Sequence, residues 1–120
     1  MVAIISSRGF VRSMRSVVVP AVDVLRFTED CTVASHESSR QRLTEAATSE
    51  ALMIDLTMTE QLDETFVSLL LETRIRCRNM AVLIADTAAG VRLLASRTRE
   101  ILPLYTDDRE AIYRLRARET

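Results

Sequence analysis

Ala51-Leu52-Met53-Ile54-Asp55-Leu56, followed by Thr57-Met58-Thr59-Glu60-Gln61-Leu62 and then Asp63-Glu64-Thr65-Phe66, decides the fold. The first six residues form a short apolar run broken by one acid, the pattern of a central strand covered on both faces. The next six read as a polar turn. Asp63 supplies an N-cap carboxylate for the first-turn amides of a helix. That helix spans Glu64 to Asn79, where Phe66, Leu70, Thr73 and Cys77 make one stripe and Val67, Leu71 and Ile75 widen it. Met80 to Ala85 reads as the next buried strand.

On the C-terminal side, Thr87 caps a helix through about Glu100, with Val91, Leu94 and Ala95 inward and Arg92, Arg97 and Arg99 outward. Ile101 to Tyr105 reads as a short strand that Pro103 pushes to an edge. Asp107 and Glu110 form a capping box for a last helix whose inner face is Ala111, Ile112 and Leu115. On the N-terminal side, Val17-Val18-Val19 stops at Pro20, and Val22 to Phe27 alternates in part. These two predict an antiparallel hairpin through Pro20-Ala21. Ser35 predicts the N-cap of a helix over 36–49. The whole predicts an α/β domain: a small mixed sheet, with an initial antiparallel hairpin and then parallel strands, and about four helices on one side. Residues 16–120 form this single domain. Residues 1–15 are an extension with Arg8, Arg12 and Arg15 and no acid, expected to be poorly packed; a start at Met14 would account for it.

The chain has 120 residues, 48% hydrophobic and 28% charged, enough for one core and too apolar for a disordered chain. Sixteen basic residues against seventeen acidic ones give a net charge of −1, so no bulk attraction to nucleic acid is written into the composition. All the basic residues are Arg, which excludes P-loop, Schiff-base and kinase-lysine chemistry. Cys31 and Cys77 belong to no metal spacing, and the single His36 completes no ligand set, so neither a metal nor a cofactor is expected. Both cysteines read as reduced thiols of a cytoplasmic protein. No apolar run has the ~20 residues that insertion across a membrane requires. The Arg74, Arg76, Arg78 series reads as solvated charge at a helix end.

The register of these elements resembles a STAS domain, the fold of anti-sigma factor antagonists and of the cytoplasmic tails of sulfate transporters, over about residues 22–115. Asp55-Leu56 stands where the family ends a strand in Asp-Leu, and Asp63-Glu64-Thr65-Phe66 where it begins a helix with Asp-Ser-Ser-Gly. Thr32-Val33-Ala34-Ser35 stands where it carries Asp-Leu-Ala-Thr, with Thr32 in place of the Asp. In that family the Ser directly after the Asp is phosphorylated by the partner kinase, itself the anti-sigma factor, and binding switches off. Here that position is Glu64, Thr65 is the remaining phosphorylation candidate, and Phe66 replaces the Gly. A Glu brings −1 where a phosphoserine brings about −1.5 to −2, so Glu64 reads as a fixed imitation of the phosphorylated state. It reads equally as an acid suited to the helix dipole.

The resemblance implies a non-enzymatic anti-sigma factor antagonist whose partner is a histidine-kinase-like ATPase, with no nucleic acid bound and room for a homodimer. Its partner-binding and switch surface is Asp63, Glu64, Thr65, Ser68, Asp55 and Thr32. An alternative is a STAS subunit bound to an ABC-transporter ATPase in lipid transport. An alternative from another class is an enzyme that uses an acidic rim of Asp55, Glu60, Asp63, Glu64 and Asp86. No nucleophile–base pair or glycine phosphate cradle stands behind that last reading.

Overall fold

A computed structural model describes residues 21–117. Four strands, β1 (Val22–Arg26), β2 (Ala51–Asp55), β3 (Met80–Leu83) and β4 (Leu104–Tyr105), form one sheet in that order. Every pairing in it is parallel, with Val24 opposite Met53, Ile54 opposite Val82, and Leu83 opposite Tyr105. The helices between them are α1 (His36–Ala46), α2 (Glu64–Arg76) and α3 (Ala88–Ala95), and α4 (Asp108–Ala117) closes the chain. The all-parallel sheet corrects the expected antiparallel start, because β1 takes β2 as its partner through the α1 crossover. The Val17–Val19 run of that hairpin, and the 1–15 extension, lie outside the described residues.

All five residues of β2 and all four of β3 are buried, as a strand covered on both faces requires. Leu52, Ile54, Met80 and Val82 point to a core built with Leu43 of α1, Phe66, Leu69 and Leu70 of α2, and Ala89 and Leu93 of α3. The alternate residues Ala51, Met53, Ala81 and Leu83 pack on Ala111 and Leu115 of α4. The helices therefore lie on two sides, correcting the expectation of one. Two apolar strand faces demand two covers, and the single helix α4 supplies the second.

The stripe expected on α2 holds at Phe66, Leu70, Thr73 and Cys77, with Leu69 added, whereas Ile75 points to solvent. On α3 the expected face is reversed. Ala89, Gly90 and Leu93 are buried, and Val91 and Leu94 are exposed. Gly90 explains why: a Cβ there would stand 2.1 Å from the backbone carbonyl oxygen of Ala85, so this helix face sits directly on the segment that leaves β3. Thr87 caps α3 as expected, accepting from the Gly90 amide at 3.1 Å, but the helix ends at Ala95 and a separate 3-10 turn spans Arg97–Glu100. Ser35 does not cap α1 with its side chain. Its hydroxyl turns back to the Thr32 amide at 3.3 Å, because a 3-10 turn at Val33–Ser35 precedes the helix.

Candidate functional site

Beyond the carboxyl ends of β1 and β2 the chain keeps pairing. Cys31 and Leu62 form a parallel bridge, with Cys31 N–H donating to the Gln61 carbonyl at 2.9 Å and Asp63 N–H donating to the Cys31 carbonyl at 3.1 Å. Underneath, the Phe27 and Phe66 rings meet edge to face at 5.3 Å, and the Arg42 guanidinium lies over Phe27 at 4.4 Å. The buried Thr59 hydroxyl donates to the Phe27 carbonyl at 3.2 Å. These contacts fix two loops side by side, and that brings the start of α2 against the turn at Val33. Burial inside the same junction pushes the Cys31 thiol up to about 11, so it is an un-ionised packing group.

Asp63 joins the two loops. One carboxylate oxygen, Oδ1, accepts from the Thr65 amide at 3.1 Å, the Thr65 hydroxyl at 2.6 Å and the Phe66 amide at 3.2 Å. The other, Oδ2, accepts from the Val33 amide at 2.8 Å, across thirty residues of sequence. The Thr65 hydroxyl bond, with the Phe66, Val33 and Thr65 amides, outweighs the opposing effect of burial and holds the Asp63 carboxyl below the usual carboxylate range. The N-cap expected from the sequence is present. Its second arm to Val33 is a tertiary contact that no local pattern announces.

Around this junction stand Glu64, 85% exposed at its side chain, Ser68, exposed one turn further along α2, and the half-buried Thr32, next to Val33. The Glu64 carboxylate takes a bond from Arg92 of α3 at 3.1 Å. An exposed pair of this kind contributes little stability, so it leaves the charge available at the surface. Val33, Met58, Val91 and Leu94, from the elements that build this end of the sheet, are exposed apolar side chains. The sequence pattern missed Val33 and Arg92. Their only signal was proximity in space.

Asp55, the last residue of β2, is not a surface acid, which corrects its grouping with them. It is buried, and its Oδ1 accepts from the Thr57 amide at 2.9 Å and the Thr57 hydroxyl at 2.6 Å. Its Oδ2 pairs with Arg26 at 2.9 Å, the residue opposite it in the β1–β2 register. Burial raises its pKa, but the two Thr57 bonds and Arg26 outweigh that and hold the carboxyl below its ordinary value. Asp55 and Asp63 thus each spend their oxygens on separate donors, so neither is a free carboxylate of the acidic rim. Among the described residues no three His, Cys, Asp or Glu side chains converge as metal ligands.

A parallel sheet of four strands, helices on both faces and a helix whose capped start is presented beyond the strand ends define a STAS-like fold. No known family profile matches the chain, and no curated protein matches it by sequence. Solved structures do. A sulfate transporter family protein from Wolinella succinogenes superposes with a TM-score of 0.63 at 15% identity, over 88% of this chain and 93% of that one. The anti-sigma factor antagonist SpoIIAA, in its unphosphorylated form, superposes with a TM-score of 0.56 at 16% identity, over 84% of this chain and 94% of that one. Among the described residues no helix is long and apolar enough to cross a membrane.

Proposed function

We propose that this chain is a non-enzymatic regulatory module, an anti-sigma factor antagonist that docks the start of α2 onto a kinase-like anti-sigma factor and so controls sigma-factor-dependent transcription. The observation that supports this reading is the Asp63 junction, which ties the Thr65 and Phe66 amides at the start of α2 to the Val33 turn; the STAS resemblance puts the switch at Glu64 and Thr65 beside it. The likeness to SpoIIAA supports it. Glu64 then stands as a permanent negative charge where the family carries a phosphorylatable Ser, and Thr32 belongs to the same surface through the Val33 turn. Thr65 is the other hydroxyl in reach, and its bond to Asp63 holds it inward.

The second reading is a STAS subunit bound to a transporter ATPase, and the likeness to the sulfate transporter family protein favours it. Affinity capture from the native lysate separates the two, with wild type and Ser68→Arg as baits. Recovery of a histidine-kinase-like ATPase by wild type and its loss with Ser68→Arg is the expected result. Recovery of an ABC-transporter ATPase instead selects the second reading, and capture that ignores Ser68→Arg overturns the site.

A further inference from the structure

The segments 27–35, 56–63 and 84–87, which leave β1, β2 and β3, carry Glu29, Asp30, Glu60, Asp63 and Asp86 and no base. The first cation that α3 adds after them is Arg92. Its Nη2 donates to Glu64 Oε2 at 3.1 Å, so a guanidinium in the last turn of α3 meets a carboxylate in the first turn of α2. A backbone bond ties the same two regions, the Ala89 amide donating to the Glu60 carbonyl at 2.9 Å. Each charge suits the dipole of its own helix. The dipoles do not account for the bond between the helices, which joins residues 28 apart in sequence.

In the free chain this pair contributes little, because both side chains are exposed, that of Arg92 by 44%. Docking changes the balance. A carboxylate taken out of water without a counter-charge is costly, whereas one already bonded to a guanidinium enters an interface as a neutral pair. Val33, Met58 and Val91 are exposed apolar side chains on these same elements, so a partner that covers them also dries the Glu64 carboxylate.

We propose that Arg92 is a positioning residue of the docking surface, which acts through Glu64: it balances that fixed charge from within the chain and so keeps the start of α2 competent to bind. The inference rests on the antagonist reading above, in which the start of α2 contacts a histidine-kinase-like ATPase. It adds a chemistry for the partner, whose surface opposite Glu64 is uncharged, since the carboxylate already has its cation.

The test is a double-mutant cycle on the full chain, with wild type, Arg92→Ala, Glu64→Gln and the double variant titrated calorimetrically against the purified ATPase that wild type captures from the native lysate. Arg92→Ala is expected to bind about tenfold or more weakly, while Glu64→Gln and the double variant stay within about threefold of wild type, because the amide leaves no charge to balance. All four proteins should melt within about 5 °C of one another; a larger drop in Arg92→Ala makes the pair an element of the fold and overturns the docking role. Binding that ignores Arg92→Ala overturns the proposal. A loss that Glu64→Gln does not restore overturns it as well, since Arg92 then touches the partner directly, and a loss in Glu64→Gln alone does so by placing a partner cation on Glu64. These outcomes leave the antagonist reading standing, whereas failure of wild type to capture a histidine-kinase-like ATPase removes that reading and this inference together.

Discussion

Replacing Asp63 by Ala removes two functions in one step, the cap of α2 and the tie to Val33. An N-cap truncation costs typically ~1 kcal/mol, within a range of about 0.5–2. The Val33 bond, 2.8 Å and made to a charged oxygen, adds roughly another 1–2 kcal/mol. The sum of about 2–3 kcal/mol lowers the melting temperature by on the order of 10 °C in a domain this size. Asp63→Asn keeps one carbonyl acceptor and is as good a cap, so it loses only one arm and falls between wild type and Ala. The pH dependence follows from linkage. The folded-state pKa of Asp63 lies below its unfolded value, so its contribution is complete above the ordinary carboxylate range and fades as pH falls through and below that range. Urea melts of wild type, Asp63→Ala and Asp63→Asn at neutral and acid pH measure all of this. An Ala variant within about 0.5 kcal/mol of wild type, or a gap between wild type and Asn that grows on acidification, refutes the two-armed junction.

Leu70, fully buried beneath the sheet, should lose ~2–5 kcal/mol on truncation to Ala in denaturant melts, whereas exposed Arg76→Ala should change stability by less than about 0.5 kcal/mol. Gly90→Ala, a change that in an exposed helix gains up to ~1 kcal/mol, should instead destabilise because its Cβ meets the Ala85 carbonyl; a stabilised variant in thermal melts would refute the close approach of α3 to the Ala85 backbone. If the proposed antagonist reading holds, then with a kinase-like anti-sigma factor that the chain captures, and ATP, wild type should take no phosphate and Glu64→Ser should take it fully, read by intact mass. Phosphate on wild type that disappears in Thr65→Ala would make Thr65 the switch and sink the fixed charge at Glu64.

Local chemistry was readable at several residues that act on their own neighbours, though not at Ser35, whose expected cap is replaced by a 3-10 turn. The Asp63 and Thr87 caps act on amides two and three residues away, and the apolar runs of β2, which one terminal acid ends, and of β3 already stated that both faces are covered. Period and capping settle such features because partner and signal lie within one turn or one strand. The face of α3 was not settled this way. Ala88 to Ala95 is apolar nearly all round, so its period leaves the rotation open, and Gly90 against Ala85 chooses it. Which side each helix covers, and which strand β1 joins, likewise depend on packing between distant segments. Asp55 and Asp63 show the same division at the site. The chain marks each as an acid at the edge of an element, but the β1–β2 register turns Asp55 to Arg26, 29 residues away, and the Cys31–Leu62 bridge brings Asp63 to Val33, 30 away. No periodicity carries information over such separations. Only the folded backbone brings those donors within 3 Å of the carboxylates, and so makes one acid a buried strut and the other the hinge point of an exposed surface.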